Sequence, residues 1–259
     1  MKLEISATLA YRLRDPVDLM LQIEAAALPE QIVADATLDV GTCTNFARIA
    51  AQDGIGERIW LSCERQLNVH YSATVAIRRT AVDYRGLPQV PMHRLPAETI
   101  PYLNESRYCP SNKFLSFVAD EFGTIQGGAR IGAMRDWIET HFTYVSGSSD
   151  VDTNALDSFV ERRGVCRDYA HVMVTLARAS AIPARVVSGY ALGVEPQDFH
   201  AVAEIFLGGE WHLVDATGMT READIAKIGV GRDAADISFL TAYGEIEMLE
   251  QQVTVRSVI

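Results

Sequence analysis

The sequence predicts an α+β protein: an N-terminal antiparallel β-sandwich-like unit, followed by a unit in which helices pack on an antiparallel sheet. Three observations predict it. Hydrophobic period two dominates the first 85 residues, period 3.6 takes over between 111 and 179, and alternation returns after Pro183. A cluster of prolines marks the join.

Leu3, Ile5, Ala7, Leu9, Tyr11 and Leu13 alternate with polar residues, as do Leu19, Leu21 and Ile23. The run Val69, Tyr71, Ala73, Val75 and Ile77 repeats the pattern. Gly41, Asp53-Gly54 and Gly56 punctuate these runs as turns. Short strands at this spacing predict a small antiparallel sandwich over residues 1–85. Pro88, Pro91, Pro96, Pro101 and Pro110 then exclude a long helix or central strand, so 86–110 reads as an extended connector.

The second unit is expected over 111–259. Phe114, Phe117, Val118 and Phe122 share one helical face, and Ile131, Met134, Trp137 and Ile138 share another. A short helix fits Ala155–Val160, and a fourth begins near Cys166 and ends before Pro183. Strands are predicted at 185–191, 201–207 and 211–215, with a crossover at 193–199. The alternating segment 245–259 reads as a closing strand of this unit.

Composition narrows function. With 48% hydrophobic and 22% charged residues the chain is globular, and a formal net charge of −11 excludes a general nucleic-acid binder. No apolar run reaches the length of a membrane span, so no membrane partner is expected. Met1–Ser6 alternates instead of forming a basic-then-apolar leader, which predicts a cytoplasmic protein. Cys43, Cys63, Cys109 and Cys166 have neither metal-ligand spacing nor disulfide-framework density, so all four are expected to be free thiols. Asp150 and Asp152 lack the glycine and closing glutamate of a calcium loop. No metal or other cofactor is expected.

Cys166 is the candidate nucleophile. It follows Gly164-Val165 and opens a helix, where unpaired backbone N–H groups and the helix dipole favour a thiolate. His200 begins one predicted strand and Asp215 ends the next, across the Gly208-Gly209 turn. An antiparallel pair brings these two residues to one sheet edge, where a base and its orienter can serve a thiol. Asp168 complements the dipole in the first helical turn and is a secondary candidate for the cleft. His171, five residues beyond Cys166, does not share its helical face and reads as structural. His212 alternates outward beside Trp211 and reads as a surface residue.

The segment Arg163-Gly164-Val165-Cys166-Arg167-Asp168-Tyr169-Ala170-His171 resembles the nucleophile motif of bacterial transglutaminase-like proteins. Ile182–Tyr190 is similar to the strand that follows it there. His200-Ala201 with Glu204, Asp215-Ala216-Thr217 and Val230–Ile237 are similar to the family's later motifs. The resemblance covers most of 105–259 and implies a papain-like/transglutaminase-like catalytic core with Cys166, His200 and Asp215 as triad. It also implies an aromatic at Tyr144 before a cleft loop, there either for packing or with a side-chain role near the oxyanion. Val202 and Ala216 stand where the family often has Trp and Pro, which alters the surroundings of the site without removing a reacting atom.

The expected activity is thiol-dependent amide or peptide hydrolysis through a Cys166 thioester, on a peptide or protein substrate. The alternatives are transfer of the acyl group to an amine, as in a transglutaminase, and an inert peptide-binding scaffold.

Overall fold

The computed structural model describes residues 1–258. Strands β1 (Lys2–Leu13), β2 (Val17–Leu21), β3 (Gln31–Asp39), β4 (Asn45–Ala50), β5 (Glu57–Cys63) and β6 (Gln66–Ile77) build the N-terminal unit. β1 buries every second side chain, as its alternation requires. Leu3, Leu9, Leu19, Leu21, Leu61 and Leu67 meet in one core shared by two sheets. Gly56 makes the tight turn before β5 at φ +80°. A Cβ there would meet the Ile228 carbonyl oxygen at 2.1 Å, so the turn requires glycine to lie on the second unit.

Helices α1 (Leu115–Phe122) and α2 (Gly127–His141) follow, then β7 (Thr143–Tyr144), α3 (Ala155–Glu161), β8 (Arg163–Gly164) and α4 (Cys166–Ala179). The sheet beneath α4 consists of β9 (Ala184–Ala191), β10 (His200–Leu207), β11 (Glu210–Val214) and β12 (Ile225–Gly231). Its order is β11-β10-β9-β12 and every pairing is antiparallel. α5 (Ala234–Ile237), β13 (Leu240–Ala242) and β14 (Ile246–Val258) close the chain. Among the described residues, no helix is long and apolar enough to cross a membrane.

Four expectations are corrected. The C-terminal strand does not close the second unit: β14 pairs with β1 from Lys2↔Val258 to Leu13↔Ile246, and β13 pairs with β2. The reason is that β1 is long and needs a partner on both edges, and β14 hides the edge that β6 leaves open. Ile259, the last residue of that expected strand, lies outside the described residues.

The connector is not simply extended. It forms 3₁₀ turns at Met92–Arg94 and Ala97–Leu103, where Pro101 is tolerated because short turns demand few N–H donors. Cys43 and Cys63 are joined by a disulfide, with Cα atoms 4.6 Å apart. Sequence spacing did not reveal the pair; the antiparallel pairing of β4 with β5, Asn45 opposite Ser62, brings them together. His212 is buried, because elements cover both faces of its sheet.

Candidate functional site

α4 begins where it does because Asp168, three residues past Val165, reaches back. Its Oδ2 accepts the Val165 N–H at 2.8 Å, while Oδ1 accepts from the Arg167 guanidinium. The turn needs Gly164, since a Cβ there would lie 2.6 Å from the Asp168 Cβ. Asp168 is fully buried in this role and does not line the cleft. Its tie sets Cys166 at the first position of α4, half-buried, with Sγ 3.9 Å from the Phe199 carbonyl oxygen.

β10 starts at His200 and β11 ends one residue before Asp215, as the turn spacing implied. His200 Nε2 donates to Asp215 Oδ2 at 3.1 Å. Asp215 is held in turn: Oδ1 accepts from the Thr217 N–H at 2.8 Å and its hydroxyl at 2.7 Å, and Oδ2 also accepts the Thr220 N–H at 3.1 Å. Arg135 on α2 donates to the Asp215 carbonyl at 3.2 Å. With Nε2 engaged, the buried Nδ1 has no hydrogen-bond partner among the described residues, and Cys166 lines the same cleft near the ring.

Burial opposes charge on His200. The Asp215 hydrogen bond, then the hydrogen bond and charge of Cys166, outweigh it and push the pKa up to about 10. Burial likewise works against the Asp215 carboxylate, but the hydrogen bond and charge of His200, followed by Thr217, hold its pKa below the usual range. Tyr144 arrives through the two-stranded parallel pairing Tyr144↔Gly164, which sets its phenol beside Cys166. Burial and the charge of Cys166 raise its pKa.

The three residues Cys166, His200 and Asp215 therefore lie together, with Tyr144 adjacent and Asp168 behind the helix start. Cys166 and His200 open into a cleft of about 560 Å³. His171 is completely buried elsewhere, accepting the Ala234 N–H at 3.1 Å and stacked on Tyr108. Burial lowers its pKa to about 3, so it stays neutral. Among the described residues, no group of three metal-ligating side chains is placed to hold an ion.

Sequence reading missed several supporting residues. Thr217, two positions after Asp215, forms an Asp-x-Thr turn whose local pattern was available. Arg135, from a helix 80 residues away, left no signal. Glu204, named from the sequence only as part of a motif, is the centre of a buried ion cluster that spacing did not reveal: its Oε2 accepts from Arg185 at 2.7 Å, and Lys227 bonds Oε1. Arg185 also reaches Asp53 at 2.8 Å, tying the sheet to the N-terminal unit.

A helix opening on cysteine, packed against an antiparallel sheet that carries the histidine, is a transglutaminase-like α+β core. Comparison with known proteins agrees. A family model described as the transglutaminase-like superfamily matches residues 118–216. The whole fold is similar to a crystal structure titled a "Putative Cysteine Protease" from Cytophaga hutchinsonii, with 32% identity and a TM-score of 0.93, covering 100% of this chain and 91% of that one. An uncharacterised protein of Mycobacterium leprae is 32% identical over 111 residues, 39% of each chain. Another, from Mycobacterium tuberculosis H37Rv, is 32% identical over 116 residues, 39% of this chain and 37% of that one. The chain thus matches less than half the length of these curated mycobacterial relatives. It belongs to the transglutaminase-like superfamily.

Proposed function

We propose that the protein is a thiol-dependent amide or peptide hydrolase with Cys166 as nucleophile, His200 as acid and base, and Asp215 as orienter. One observation carries this reading: the His200–Asp215 hydrogen bond of 3.1 Å presents the other face of the imidazole to a half-buried thiol at a helix N-terminus. The membership of the chain and its likeness to a protein described as a cysteine protease support it.

In the proposed cycle Cys166 Sγ bonds to an amide carbon and the carbonyl electron pair moves to oxygen. Backbone N–H groups at the start of α4 face that oxyanion, a contribution of roughly 3–4 kcal/mol per donor. The C–N bond breaks as protonated His200 gives its proton to the leaving amine. Water then attacks the thioester, His200 takes its proton, and the acid departs from the restored thiol. A high His200 pKa favours the imidazolium of a thiolate–imidazolium pair. In this reading Tyr144, beside Cys166, donates to the same oxygen.

The substrate class that fits this chemistry is a peptide or protein. We infer that the β-rich unit is completed by residues 238–258 and that the catalytic unit spans 111–237. Cytoplasmic residence is a separate proposal, and the Cys43–Cys63 bond argues against it, because disulfides persist in oxidising compartments.

The test is the rate of alkylation by iodoacetamide from about pH 4 to 9, in the wild type and in His200→Ala. Fast labelling of Cys166 at acid pH, lost in the variant, is the expected result. Labelling that rises only near the ordinary thiol pKa of ~8.5 overturns the reading.

A further inference from the structure

The cleft reaches well past the reacting groups. One wall is the segment 238–242, whose strand β13 pairs with β2 of the N-terminal unit. Tyr108, Val151, Phe199, Ala201, Phe239 and Leu240 line the cleft. Phe199 and Phe239 stack with centroids 4.8 Å apart, which stiffens the wall beside His200. Val151 is 71% exposed at the rim, an apolar group left open among the described residues.

The charged groups of the lining already have partners. Arg167 donates to Asp168 and to the Asp150 carbonyl. Asp198 accepts from the Phe199 N–H at 2.7 Å and from Gln251 at 2.8 Å. Arg107 lies over the Tyr108 ring and reaches Asp152 at 3.7 Å. What the cleft offers unspent is apolar surface, together with one buried hydroxyl. Ser188, paired in register with Ala201, is 7% exposed and its Oγ has no hydrogen-bond partner among the described residues. That combination fits a peptide segment: apolar side chains against the walls and a backbone polar group for the hydroxyl.

We propose that this cleft is a subsite for apolar side chains on the acyl half of a peptide substrate, and that the N-terminal unit takes part in recognition by holding its 238–242 wall. The inference rests on Cys166 being the nucleophile. It gives the β-rich unit a task in substrate choice.

The test compares three inactivators, acetyl-Leu-Leu, acetyl-Asp-Asp and acetyl-Lys-Lys chloromethyl ketones, each rate divided by that of iodoacetamide on the same protein. The Leu-Leu reagent is expected to react at least about tenfold faster than the other two, a margin typical of side-chain discrimination in an apolar pocket. Two variants probe the walls. Ala235→Trp adds bulk from an exposed lining position, and Thr241→Glu places a charge on the β13 wall. Each is expected to lower the normalised Leu-Leu rate about tenfold. Equal rates for the three reagents, or a faster Asp-Asp reagent drawn by Arg107, overturn the inference while rapid iodoacetamide labelling leaves the nucleophile standing. Slow labelling by iodoacetamide itself overturns the underlying reading instead.

Discussion

His200 stands between two opposed demands, since burial disfavours its charge and its two neighbours stabilise it. Because Cys166 raises its pKa alongside Asp215, Cys166→Ala should lower the His200 pKa from about 10, readable by NMR titration of the ring. The same substitution should abolish hydrolysis while leaving the fold intact, as judged by its thermal transition. A histidine whose folded pKa exceeds its unfolded value of 6.5 stabilises the protein fully below 6.5, and the contribution is lost as pH rises toward 10. His200→Gln should therefore flatten the decline of stability across that window, measured by urea unfolding at successive pH values. An unchanged slope would show that His200 does not hold its proton there.

Among the elements, α4 depends on what fastens it to its surroundings. Asp168 sets its start, and His171 joins its middle to the first residue of α5 through the Ala234 N–H. His171→Ala removes that acceptor and the Tyr108 stack, and should cost about 2–4 kcal/mol of unfolding free energy. The sign of its pH effect is opposite to that of His200. A folded pKa of about 3 against 6.5 means stability present above pH 6.5 and lost as pH falls toward 3, so the variant should be less steeply destabilised by acid. Neither role follows from helical periodicity, which predicts only that the residue lies on a buried or an exposed stripe.

For the whole molecule, the joint between units combines a shared apolar core with ion pairs, Arg185 to Asp53 at 2.8 Å and Lys227 to Glu30 at 3.7 Å. Glu204 is completely buried between Arg185 and Lys227; burial alone would raise its pKa, but Lys227 and then Arg185 hold it low. Glu204→Gln leaves two buried cations without their anion and should cost about 3–5 kcal/mol in a denaturant titration. A loss below 1 kcal/mol would mean that Asp53 and Glu30 suffice. The disulfide lies within the N-terminal unit and closes a sequence separation of 20 residues. Cys63→Ala should lower stability by about 3 kcal/mol yet leave Cys166 alkylation unchanged.

Local regularities were legible in the chain: alternation in β1 and β6, the helix that opens at Cys166, the β10–β11 hairpin and the arrival of His200 and Asp215 at one edge. They were legible because period and turn chemistry act over a few residues. The α+β class followed from the same periodicities, and the transglutaminase-like resemblance from motifs that sit on those elements. Alternation says which face of a strand is buried, but not which edge it joins, so β14 was assigned to the wrong sheet. Outward alternation misjudged His212 for a related reason: what covers the second face is supplied by other parts of the chain. The Cys43–Cys63 bond, the Glu204 ion cluster and the Arg135 support for Asp215 all join residues distant in sequence. Such contacts carry no local period, and only the tertiary arrangement of strands and helices brings their partners together.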